Sequence, residues 1–136
     1  MALTYNPKTM ATGVPSVDAQ HQELFRRVGQ LQEAMRQGRG RDEVGKLLEF
    51  LGGYIVDHFT DEEQWMERLN CPAAAENRRA HRELLAKFNE FRAAFQKGDL
   101  GPTALMQLYE VLTDWLVRHV QGIDMRLRTA APAGVA

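Results

Sequence analysis

Four histidines and two carboxylates carry the chemistry legible in this chain. His21, His58, His81 and His119 are the only histidines among the 136 residues, and each falls on the apolar stripe of a different helical segment. Glu62 follows His58 by four residues, one turn along the same face. Asp124 follows His119 by five, and an ideal helix would turn it partly off the stripe. Gly122 lies between them, and a π-bulge there would bring the carboxylate round. Taken singly, each residue has an ordinary reading: a satisfied core histidine, a half-exposed Glu62, a solvated Asp124. Together they do not, because burying four imidazoles and two carboxylates in one core is costly unless they pair or bind a metal. Imidazole with carboxylate suits Fe, Mn or Zn, and the absence of clustered thiolates argues against a cysteine-based zinc site. Two carboxylates with histidines from four facing helices follow the ligand logic of a dinuclear iron site, in which a carboxylate bridges two cations and offsets their repulsion.

One further residue shares this stripe. Asn77 stands one turn before His81, on the same face. An amide oxygen is a weaker and harder donor than imidazole. Asn77 can ligate directly, hold a ligating water or point away. Its neighbour Glu76 faces about 100° round the helix and is a poor substitute.

The elements that must position these groups follow from apolar periodicity. Val17, His21, Leu24, Val28, Leu31 and Met35 form the first stripe. Val44, Leu48, Leu51, Ile55, His58, Glu62, Trp65 and Leu69 form the second. Asn77, His81, Leu84, Phe88, Phe91 and Phe95 form the third, and Leu105, Leu108, Leu112, Trp115 and His119 the fourth. The spacing predicts helices over 17–37, 42–69, 73–97 and 102–128, and no stretch alternates as a strand would. Ser16 or Asp18 is expected to cap the first helix and Asp42 the second, with Gly38 and Gly40 between them. Cys71-Pro72, Gly98 and Gly101-Pro102 punctuate the rest. Short connections make neighbouring helices antiparallel, so the expected fold is all-α, an up-down-up-down four-helix bundle in one domain over 1–136. Residues 1–15 are expected to form an irregular arm against it. In that arrangement the four histidines, Glu62 and Asp124 all fall toward one end of the bundle.

At this point the stretches V17-D-A-Q-H21, H58-F-T-D-E-E63, N77-R-R-A-H81 and W115-L-V-R-H119-V-Q-G-I-D124 resemble the hemerythrin family, in its single-domain bacteriohemerythrin form, over about residues 3–127. The resemblance implies reversible O2 binding at a non-haem diiron centre. It implies that Glu62 and Asp124 bridge two Fe ions, that His21 and His58 ligate the iron open to O2, and that His81 and His119 ligate the other. The family's third histidine on that second iron is Asn77 here, a departure that puts the second site in question. By the same resemblance Leu116 is the preferred O2-pocket residue. Leu24, Ile55, Phe59 and Trp115 are expected near the ligands too, although each also reads as plain core. The altered site points to two alternatives: a diiron peroxidase-like or NO-binding enzyme with peroxide or NO as ligand, or a metal-depleted structural bundle.

Bulk properties agree with a soluble globular domain. Hydrophobic residues make up 44% and charged residues 26%, and the net charge of −1 gives no nucleic-acid or lipid-binding surface. The N-terminus lacks the features of a signal peptide and no run is long enough for a membrane span, so a cytoplasmic monomer without a membrane or nucleic-acid partner is expected. The lone Cys71 fits a reducing compartment. G40-R-D-E-V-G-K-L47 nearly spells a phosphate-binding loop but has no hydroxyl residue at its end and no strand before it. The small-residue tail 130–136 is expected to fray.

Overall fold

The computed structural model describes residues 4–38, 41–99 and 101–130, and the side chains of residues 41–42 fall outside that description. Four long helices dominate: α2 (Pro15–Arg36), α3 (Arg41–Arg68), α4 (Ala74–Gln96) and α5 (Pro102–His119). A short α1 (Pro7–Met10) precedes them, and a π-helical turn (Val120–Asp124) and α6 (Arg126–Ala130) extend α5. The long helices form an up-down-up-down bundle, with α2 against α3 and α5, and α4 against α3 and α5. Among the described residues there is no strand, and no helix is long and apolar enough to cross a membrane.

The boundaries correct two expectations. The N-terminal arm is not wholly irregular, because Asn6 caps α1 by accepting from the Lys8 amide and Pro7 opens it. Neither Ser16 nor Asp18 caps α2, which begins earlier, at Pro15. The Asp18 carboxylate instead accepts from the Thr12 amide and hydroxyl, both at 2.7 Å, and from the Gly13 amide at 3.2 Å, tying the arm to the bundle. Helix α3 starts at Arg41, so Asp42 sits inside its first turn; its side chain, Gly40 and residues 131–136 lie outside the described residues. The Gly98 and Gly101-Pro102 signals hold. Gly98 takes φ +79° just past α4, and Pro102 opens α5. Asn70 adopts φ 54° after α3, a left-handed conformation that asparagine tolerates, and turns the chain into Cys71-Pro72.

The apolar stripes meet in two separate clusters. The larger contains Leu24, Leu31, Leu48, Leu51, Phe88, Leu108 and Leu112. The smaller contains Val14, Val17, Met66, Cys71, Ala73 and Leu127. Along each long helix the residue types change between the two clusters. His21 lies between Val17 and Leu24, Glu62 between Phe59 and Met66, Asn77 and His81 between Ala73 and Leu84, and Asp124 between Val120 and Leu127. A polar layer therefore crosses the bundle, with dry packing on both sides. The stripe was misread at two points: Ala34 is fully buried beside half-buried Met35, and Met66 is fully buried whereas Trp65 is only half-buried, with Arg68 over its ring. Met66 and Trp65 both satisfy a helical step from Glu62.

Candidate metal centre

All six predicted ligands and Asn77 converge in this layer. His21, Glu62 and Asn77 are wholly buried, and none of the seven exceeds 6% exposure. Asp124 reaches the layer because the chain from Val120 to Asp124 is π-helical. Five α-helical steps would leave it about 140° round from His119, and the wider turn removes that offset.

The two carboxylates divide their oxygens between two sets of histidines. Glu62 Oε2 lies 3.0 Å from His21 Nε2 and 3.5 Å from His58 Nε2, while Oε1 lies 3.1 Å from His81 Nε2. Asp124 Oδ2 lies 3.1 Å from His21 Nε2, while Oδ1 lies 3.0 Å from His119 Nε2. Two groups with metal-ligand spacing result: His21, His58, Glu62 and Asp124, and Glu62, His81, His119 and Asp124. Both carboxylates belong to both groups.

Asn77 faces the second group and does not point away. Its Nδ2 donates to Glu62 Oε1 at 2.9 Å and to Met66 Sδ at 3.2 Å. Both of those atoms are acceptors, which fixes the amide the other way round for Oδ1. That oxygen stands 2.6 Å from His119 Nε2. Glu76 is exposed and pairs with Arg126 at 3.5 Å, away from the layer.

The electrostatics are those of buried imidazoles and carboxylates that hold one another's charge. Burial alone pulls the His21 imidazole down, but hydrogen bonds and charge from Asp124 and Glu62 outweigh it and raise it to about 10. Burial lowers His58 to about 3, and the neighbouring imidazoles oppose its protonation as well. Burial raises the Asp124 carboxyl and the Glu62 charge raises it further, whereas the His21 and His81 hydrogen bonds overcome burial and hold Glu62 well below the usual carboxylate range. Both Asp124 oxygens and His81 Nε2 sit within ion-pair distance of a partner yet make no aligned hydrogen bond. Buried oxygen and nitrogen lone pairs left in this state suit metal ions, and the imidazole and carboxylate donors suit iron.

Around the ligands the expected apolar shell divides in two. Phe59 lies flat on the His81 ring, with centroids 3.7 Å apart and planes at 2°. Trp115 stacks on His119 at 4.1 Å. Leu24, Ile55 and Leu116 are buried in the larger cluster just beyond the layer. Sequence reasoning missed three contacts. Gln20 Oε1 accepts from His58 Nδ1 at 2.9 Å, Glu63 Oε2 accepts from His81 Nδ1 at 2.8 Å, and Met66 orients Asn77. Met66 was findable, since it follows Glu62 by one helical turn.

Fold and site together define a four-helix bundle that carries paired histidine–carboxylate groups for cations. The sequence pattern of the hemerythrin HHE cation binding domain matches residues 12–131, and the chain belongs to the hemerythrin family. Proteins of this family hold a diiron centre and bind O2. The chain is 29% identical over 125 residues to a bacteriohemerythrin of Stenotrophomonas maltophilia, covering 91% of this chain and 78% of that one. It is 28% identical to a bacteriohemerythrin of Methylococcus capsulatus, covering 90% and 91%. It is 26% identical to a myohemerythrin of Riftia pachyptila, covering 83% and 81%. A crystal structure of wild-type hemerythrin superposes over the whole of both chains with a TM-score of 0.85 at 26% identity.

Proposed function

We propose that this chain binds O2 reversibly, for storage, delivery or sensing, at a diiron centre whose second position is altered by Asn77. The observation that carries the reading is the division of the Glu62 and Asp124 oxygens between two histidine sets. His21 and His58 would hold one iron, and His81, His119 and the Asn77 oxygen the other, with Glu62 and Asp124 shared. Iron supplies the electrons and the open coordination position that O2 chemistry needs. The chain's own residues do the rest. The two carboxylates supply negative charge against paired cations in a buried layer. Gln20 and Glu63 fix the tautomers of His58 and His81 so that Nε2 faces inward. Leu116, Leu24, Ile55, Phe59 and Trp115 form the proposed pocket wall that limits access of water and protons. A cytoplasmic location goes with this reading, supported by the single buried Cys71.

The test is iron content and the O2-dependent absorption spectrum of protein expressed with iron, beside Asn77→His. About two irons per chain and a spectrum that reverses on removal of O2 are expected. One iron or none, corrected by Asn77→His, would show that the amide disables the second position.

A second reading rests on Asn77 itself. An amide oxygen binds iron less strongly than imidazole and leaves that half easier to open. Turnover of peroxide or capture of NO in the presence of a reductant is the expected sign, and a slowly autoxidising O2 complex counts against it.

A further inference from the structure

The two histidines that reach out of the layer are held by different chemistry. His58 Nδ1 donates to a neutral amide, Gln20 Oε1, at 2.9 Å. His81 Nδ1 donates to a carboxylate, Glu63 Oε2, at 2.8 Å. Both partners of Nδ1 are oxygens that only accept, so Nδ1 carries a proton in both rings, and the other nitrogen of each faces Glu62. A charged acceptor makes the stronger hydrogen bond, fixes the ring and increases the donor strength of the opposite nitrogen. The charged acceptor falls on the half of the layer in which Asn77 offers an oxygen, a weaker donor than imidazole. Glu63 reaches solvent with 28% of its side chain, while Glu62 is wholly buried. Phe59 lies flat on the same His81 ring and stops it from turning away.

We propose that Glu63 is a positioning residue for His81 and that its charge offsets the weak donor at Asn77, holding metal in the second half of the site. This rests on the diiron reading above. Gln20 orients His58 without adding charge, in the half that holds His21 and His58 and no amide donor.

The test uses the full chain loaded with iron: wild type, Glu63→Gln, and Glu63→Gln combined with Asn77→His. Iron per chain, iron retained against a chelator, and the reduction potential of the loaded protein are measured, together with the thermal midpoint of each metal-free chain. Glu63→Gln keeps an acceptor of the same shape, so the metal-free midpoint is expected to stay near wild type. One of the two irons is expected to bind about 10–100-fold more weakly, with a shifted potential, and Asn77→His is expected to restore it. Glu63→Gln protein that retains both irons at the wild-type potential overturns the proposal, and so does parallel loss of both irons. If the wild type itself takes up no iron, the diiron reading fails and this inference with it. If the wild type holds two irons and Glu63→Gln changes nothing, only this inference fails.

Discussion

His119 Nε2 and Asn77 Oδ1 stand 2.6 Å apart, a buried polar contact that joins α4 to the end of α5 within the polar layer. Asn77 thus ties three elements together, since its Nδ2 also reaches Glu62 and Met66 on α3. Asn77→Ala would leave Glu62 Oε1 and His119 Nε2 short of a partner in a wholly buried place. An unsatisfied buried group costs about 1–3 kcal/mol, so the metal-free variant is expected to unfold at lower urea with an unchanged m-value. An unaltered midpoint would mean that the amide contributes nothing to the fold.

Asp124 opposes stability and favours metal. Its folded carboxyl is raised by burial and by Glu62, so the ionised form costs stability at every pH above its unfolded value. Asp124→Asn removes this cost and also the contact that does most to hold His21 charged, so the urea midpoint of the metal-free chain is expected to rise only at the alkaline end, where His21 has lost its proton. The same change removes a carboxylate common to both metal groups, so metal affinity should fall by more than the roughly 100-fold limit of outer-shell changes. Calorimetric unfolding and metal titration of one variant check both signs.

Metal-free protein is expected to be most stable near the ordinary histidine range. His21, raised to about 10 in the folded chain, contributes stability that is complete below about 6.5 and is lost as pH rises toward 10. His58, lowered to about 3, acts the other way: its stability is present above about 6.5 and is lost as pH falls toward 3. Urea midpoints across pH 4–10 should trace a maximum between the two losses. A flat profile on the alkaline side would show that His21 is not held by the carboxylates.

Phe59 and Phe88 separate packing from site geometry. Both are buried in the larger cluster, but only Phe59 covers the His81 ring. Phe59→Leu and Phe88→Leu should each cost less than the about 3–5 kcal/mol of full truncation to alanine. Only Phe59→Leu is expected to speed loss of metal to a chelator, because it frees the His81 ring.

The bundle and most of the site were legible because both rest on periodicity. Histidines at helical steps from leucines could only face inward, and the five-residue gap before Asp124, with Gly122 inside it, signalled the π-turn. What stayed hidden depends on ring rotation and on close choices of register. Gln20 and Glu63 each sit beside a proposed ligand in sequence, and their contacts emerge only from which way the partner imidazole turns. Met66 and Trp65 both lie within a turn of Glu62, and pattern alone took the larger residue. Helix α1 is four residues long, too short for a stripe, although Asn6-Pro7 carried its start signal.

The smaller apolar cluster is assembled from ends of the chain and from turns. Val14 and Val17 come from the entrance to α2, Met66 and Cys71 from the exit of α3, Ala73 from the start of α4 and Leu127 from α6. Chain ends and turns open locally at a smaller free-energy cost than the centres of long helices. Asp18 fastens residues 12–13 beside this plug. Loosening that fastening, as in Asp18→Asn, is expected to quicken loss of metal from the layer to a chelator while leaving the strength of each donor untouched.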